Sequence, residues 1–132
     1  MIALPKDVYA RMVEHAKTGY PNEACGILVG SAKVVTDFYA MKNMDHSTIS
    51  YFMDPREQLE VFKKMREGAL SMRGIFHSHV ASEAYPSQKD VRLAFYPDVS
   101  YLIVSLSEPE KPVLRSFRIE EEKVTEEEIK IV

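Results

Sequence analysis

Ile75-Phe76-His77-Ser78-His79 and, after a short gap, Pro86-Ser87-Gln88-Lys89-Asp90 read as the end of a strand, a loop and the first turn of a helix. Apolar residues lead into two histidines separated by one residue. On a strand, residues two apart point to the same side, so His77 and His79 project together and Ser78 turns the other way. Pro86 then opens a turn in which Ser87 is placed to cap a helix, with Asp90 three residues further on.

Outward from this segment the chain alternates between helical and extended patterns. The strand is expected over residues 73–79 and the helix over residues 87–95. Upstream, Asp54-Pro55 opens a helix with Asp54 as N-cap, and Leu59, Phe62, Met65 and Ala69 give it one apolar face. Residues 24–29 form a short apolar run that reads as a buried strand, and residues 33–40 read as its partner across a Gly30-Ser31-Ala32 turn. Residues 42–50 are polar and read as a loop. A first helix begins at Pro5, carries Val8, Met12 and Ala16 at helical spacing, and stops at Gly19 and Pro21. Downstream, residues 101–106 and 113–119 read as strands. This order implies an α/β sandwich around a mixed sheet.

The 132 residues fit one domain spanning 1–132, with no repeat or linker to divide it. A net charge of −3 and a pI near 5.8 offer no basic patch for nucleic acid or an anionic membrane. The late acidic runs, Glu120-Glu121-Glu122 and Glu126-Glu127-Glu128, read as solvated faces of edge strands or as a frayed end. The lone cysteine, Cys25, cannot form an intramolecular disulfide and reads as a small core residue. That suits a reducing cytoplasm. No apolar stretch reaches the length of about 20 residues that spans a bilayer, and the start of the chain lacks the pattern of a secretory leader. A soluble, cytoplasmic protein is expected.

The chemistry is concentrated around the two histidines. Neutral imidazole is a preferred zinc ligand, and a catalytic zinc takes three protein ligands and keeps a fourth position open. Asp90, held at a helix start, is the best third ligand. His-x-His by itself carries little weight, and Ser87-x-x-Asp90 by itself describes a helix cap equally well. Together, eight residues apart, they are far more specific, and a capped turn holds its acid still. A base that is not itself a ligand must move the proton of water. Glu23, directly before the buried strand in Asn22-Glu23-Ala24-Cys25-Gly26, is the choice for it, although an acid at such a turn is equally a surface residue. His15 and His46 receive no role.

Glu23, then His77-Ser78-His79, then Ser87 and Asp90, resembles the JAMM motif of the MPN-domain metalloproteases, with every motif position filled. Within that family, His79-Val80-Ala81-Ser82-Glu83-Ala84-Tyr85-Pro86-Ser87 is similar to the bacterial CysO-cysteine peptidase branch. The resemblance implies a cytidine-deaminase-like α/β/α sandwich around a mixed sheet. It implies zinc (Zn2+) on His77, His79 and Asp90, Glu23 as general acid and base, and Ser87 stabilising the oxyanion. It also implies hydrolysis after the C-terminal Gly-Gly of a ubiquitin-like sulfur-carrier protein, releasing a C-terminal cysteine. An isopeptidase acting on lysine linkages and an inactive MPN binding scaffold are the alternatives, and scaffolds of that kind typically lose ligands that are all present here. A peptidase for short peptides also fits the motif. A base deaminase does not, since its Pro-Cys-x-x-Cys needs more than Cys25. Val80 stands where the wider family commonly has proline, which changes the rigidity of the loop and leaves the ligands alone. The resemblance further suggests residues 42–51 as a strand edge for the substrate tail, with Tyr51 and Tyr85 along its channel.

Overall fold

The computed structural model describes residues 1–32 and 34–132. The elements follow the order β1 (Ile2–Leu4), α1 (Lys6–Gly19), β2 (Cys25–Ser31), β3 (Val34–Met41), α2 (Pro55–Glu67), β4 (Ser71–His79), α3 (Gln88–Arg92), β5 (Ser100–Ser105), β6 (Val113–Glu120), β7 (Lys123–Glu127) and β8 (Ile129–Ile131). Among the described residues, all eight strands join one mixed sheet in the order β7-β6-β5-β4-β2-β3-β1-β8. The pairs β4–β5, β1–β3 and β1–β8 are parallel, and the rest are antiparallel.

Alternation along the strands divides the core between the two faces of the sheet. One face collects Cys25, Ile27, Val29, Ile75 and Ile103 under Val61, Phe62 and Met65 of α2. The other collects Leu28, Phe76, Leu102 and Val104 under Val8, Met12 and Ala16 of α1. Helices thus cover both faces of a mixed sheet, the layered α/β arrangement expected from the order of elements.

Several boundaries and faces differ from expectation. α2 does begin at the Asp54 cap, whose carboxylate accepts from the Arg56 backbone N–H at 2.9 Å. Its buried row, however, runs through Val61, Phe62 and Met65, while Leu59 is 52% exposed. Ala69 lies past the helix end with a φ of 55°. The presence of Val61 turns the apolar stripe away from Leu59. α3 ends at Arg92, with Leu93 as its C-cap, short of Phe95. The expected start of the third strand at Lys33 lies outside the described residues.

β1, β7 and β8 are too short or too charged to announce themselves, yet they complete the sheet out to its two ends. The acidic tail does form edge strands. β7 and β8 sit at the two ends of the strand order with Glu128 alone between them, so the sheet must curl until its ends approach. Glu127 ties that seam. It accepts hydrogen bonds from the Ser100 and Ser116 hydroxyls and pairs with the Met1 ammonium.

Residues 42–51 are not a strand edge. Beyond Met41 the chain is a loop, joined to the rest of its own length by an isolated bridge between Asn43 and Met53.

Candidate metal centre and active site

β4 pairs antiparallel with β2 on one side and parallel with β5 on the other, and this decides which residues gather at its end. His77 and His79 close β4. The antiparallel register puts Cys25 opposite His77, so the residues just before β2 come level with the last residues of β4. Ala24 and Ser78 lock that level: the Ala24 N–H donates to the Ser78 hydroxyl at 2.8 Å, and the Ser78 N–H donates to the Ala24 carbonyl at 3.0 Å. Glu23, one residue earlier, is thereby carried to the height of His79. Ser78, the residue turned away from the histidine pair, is the anchor that sequence reasoning passed over.

His77 Nε2, His79 Nε2 and Asp90 Oδ2 converge. The two nitrogens lie 3.1 Å apart, and the carboxylate oxygen is 3.1 Å from the first and 3.0 Å from the second. His79 Nδ1 sits 2.8 Å from the Glu83 carbonyl oxygen. A carbonyl only accepts, so Nδ1 carries the hydrogen, and in the neutral ring Nε2 turns a lone pair toward the cluster. Electron-rich atoms this close repel one another unless a cation or proton lies between them. Tetrahedral zinc with bonds of about 2.0–2.1 Å separates its ligands by roughly 3.3 Å. The triangle therefore suits a small divalent ion, and these three residues form a group able to hold one.

The surroundings hold each donor in place. Ser87 caps α3: its hydroxyl accepts from the Asp90 N–H at 3.1 Å, and its own N–H donates to Asp90 Oδ2 at 2.9 Å. Capping and presentation of the acid are thus one arrangement. Because the Ser87 oxygen is the acceptor there, its O–H hydrogen is left free to donate. The ring of Tyr51 stacks on His77, with centroids 4.6 Å apart and planes at 25°.

The charge states follow from burial and partners. Burial pushes the His77 imidazole down, against the pull of Asp90, and keeps it neutral. Burial opposes charge on His79 too, but hydrogen bonds to Asp90 and the Glu83 carbonyl outweigh it and raise its pKa. Burial likewise opposes ionisation of Asp90, yet its contacts with His77 and His79 and the Ser87 N–H hold its carboxyl far below the usual range.

Glu23 behaves in the opposite way. It is 5% exposed, and its Oε1 has no hydrogen-bond partner among the described residues. Burial raises its carboxyl from 4.5 to about 7, with His79 and Lys89 pulling it back and Asp90 adding to the rise. An acid poised near neutrality beside a possible metal position is suited to proton transfer.

Asn43 is a second residue that the sequence did not single out. Its side-chain amide donates to the carbonyls of Glu23 and Ser50, each at 3.0 Å, and its oxygen accepts from the Asp45 and Phe52 N–H groups, each at 3.0 Å. With every bond made, it fastens the loop to Glu23.

Of the two tyrosines, Tyr51 borders a cleft of ≈ 250 Å³ beside Asp90. Tyr85 instead packs edge-on against Phe117 with centroids 5.3 Å apart. Cys25 is fully buried in the core, as expected. His15 holds the Cys25 carbonyl at 3.0 Å, a structural contact.

Residues 5–120 match the family of prokaryotic homologs of the JAB domain. A CysO-cysteine peptidase of Mycobacterium tuberculosis is 39% identical over 134 residues, covering 100% of this chain and 92% of that protein. A desampylase of Haloferax volcanii is 30% identical over 111 residues, covering 79% of this chain and 80% of that protein. The solution structure of a protein from Desulfitobacterium hafniense superposes with a TM-score of 0.91 at 48% identity, covering 100% of this chain and 93% of that one.

Proposed function

This chain belongs to the prokaryotic homologs of the JAB domain, and from that premise we propose that it is a single-domain, zinc-dependent peptidase that cuts after the Gly-Gly end of a ubiquitin-like sulfur carrier and releases a C-terminal cysteine. It is a hydrolase of the JAMM type. The substrate assignment is supported by the relative named CysO-cysteine peptidase, which is matched along the whole of this chain. The observation that carries the chemical reading is the triangle of His77 Nε2, His79 Nε2 and Asp90 Oδ2 beside a buried, unpaired Glu23 carboxyl. Among the described residues no helix is long and apolar enough to cross a membrane. The lone buried Cys25 agrees with a reducing, cytoplasmic setting.

His77, His79 and Asp90 would hold the zinc, which when bound supplies Lewis acidity and makes water acidic near neutrality. Glu23 takes the proton of the attacking water. The same carboxyl then hands that proton to the nitrogen of the leaving amine, so one group serves as base and acid. Its burial suits both steps, because a pKa of about 7 allows it to accept and to release a proton near neutral pH. Ser87 directs its free O–H at the oxyanion that forms on the attacked carbonyl, a role in which one donor is typically worth about 2.7–4 kcal/mol. Tyr51 and the Glu83 carbonyl fix the planes of the two imidazoles, and the α3 cap fixes the carboxylate.

Cleavage of CysO-cysteine by the purified chain, read together with its zinc content, tests the proposal. Release of free cysteine with one zinc per chain, both abolished by a chelator, is the expected result. Zinc without cysteine release, combined with cleavage of a lysine-linked modifier, would favour the isopeptidase reading that the desampylase relative supports. A folded chain that takes up no zinc would remove the enzyme mechanism and leave a binding scaffold.

A further inference from the structure

The cleft beside Asp90 has apolar walls, formed among others by Tyr51, Met53, Leu93 and Phe95, and Lys89 is the basic residue lining it among the described residues. Lys89 precedes the proposed ligand Asp90 on the first turn of α3. It is exposed and makes no ion pair among the described residues. Its charge nonetheless reaches the site, where it acts on Glu23. A free cation thus stands at the mouth of an apolar cleft that opens directly beside the proposed reacting centre.

The two sides of the bond to be cut differ in what they offer such a cleft. A Gly-Gly tail has neither side chain nor charge, so it gains little from apolar walls or an ammonium group. The residue on the other side has a side chain and, if it ends the chain, a carboxylate. Within that residue the amide nitrogen and the carboxyl carbon are about 2.5 Å apart. Whatever recognises that carboxylate must therefore sit immediately beside the group that attacks the bond. In a lysine isopeptide the corresponding position is a methylene chain with no charge.

We propose that Lys89 is the specificity-determining residue that recognises the free α-carboxylate of the amino acid released from the carrier, with the adjoining cleft receiving that residue. The inference rests on the peptidase reading above and deepens it, by selecting a terminal amino acid over a lysine side chain as the leaving group. An ammonium facing a carboxylate in a partly desolvated cleft favours the charged terminus by about tenfold. An uncharged terminus forfeits that gain.

The test compares CysO-cysteine as the free acid with the same protein carrying a C-terminal cysteine amide. The enzyme should cleave the acid with a kcat/KM about tenfold higher, the difference residing mainly in KM. Lys89→Gln should abolish the ratio and Lys89→Arg should restore it, with zinc content matching the unaltered protein in both. Equal cleavage of acid and amide by the unaltered enzyme would overturn the assignment while leaving the peptidase reading intact. A preference that survives in Lys89→Gln would do the same. Failure to cleave either form would remove the parent reading and this inference with it.

Discussion

Glu23 and Glu127 are carboxylates drawn out of solvent at opposite ends of the β4–β5 pair, where Gly74 faces Ser100 at one end and His79 faces Ser105 at the other. Glu127 is fully occupied: two serine hydroxyls donate to Oε1 and the terminal ammonium approaches Oε2. Glu23 is more deeply buried and has an oxygen, Oε1, with no partner among the described residues. Glu127 ends β7 and Glu23 lies just before β2, and both cost desolvation. At the seam that cost is offset by hydrogen bonds, which tie β7 to β5, β6 and the start of the chain. At the metal triangle it is left standing, and the result is a carboxyl poised near neutral pH. Unmet polarity therefore marks the working end of the molecule more sharply than polarity alone.

The largest effect should come from removing the poised charge without changing its shape. Glu23→Gln is expected to lower turnover by about 10²–10⁴-fold while zinc per chain stays unchanged. A variant that keeps turnover would take Glu23 out of the mechanism. Ser87→Ala comes next, with a loss of about 10²-fold in kcat. It also removes a helix cap, worth about 1 kcal/mol, so thermal unfolding of the same sample separates chemistry from folding.

At the other end of the sheet the signature should be reversed. Glu127→Ala leaves the Ser100 and Ser116 hydroxyls without their acceptor and should reduce unfolding stability by about 1–3 kcal/mol. Turnover per folded molecule should be retained, and a lost turnover in a stably folded variant would contradict a purely structural seam.

A last effect, read in stability and not in turnover, lies in the pH dependence of metal-free protein. The folded pKa of Glu23, about 7, stands above its ordinary 4.5. The folded state therefore binds the extra proton between those values. Its contribution is present in full below 4.5 and is lost as pH rises through 7, on the order of 3 kcal/mol. The melting temperature of the chelated protein should fall over that window, and Glu23→Gln should flatten the fall. A slope unchanged by the substitution would show that Glu23 is not the titrating group.

His77, His79, Ser87 and Asp90 were legible as a group because each pair lies within a single element, where spacing alone sets direction. Two residues apart on a strand means one side, and three apart across a helix start means a capped turn. Glu23 lay more than fifty residues away and was legible only as an acid before an apolar run. Its place beside His79 comes from the β2–β4 register and the Ala24–Ser78 lock. Asn43 and Ser78 were illegible as parts of the site, since an asparagine in a polar loop and a serine in a strand acquire meaning only from what they touch. Leu59 and Val61 are both apolar residues of α2, and which of them faces inward was decided by packing against the sheet.

Local periodicity, capping residues and ligand spacing were written in the chain itself, because they depend on backbone geometry over a few residues. They determined the α/β class, the main strands and helices, and the residues proposed to carry the chemistry. Only the tertiary structure decided how β1, β7 and β8 extend the sheet, that residues 42–51 form a pinned loop, and that Glu23 is buried with an oxygen that has no partner among the described residues. Those features depend on contacts between residues distant in the chain. Such contacts set burial and hydrogen-bond partners, and through them the charge a group carries at neutral pH.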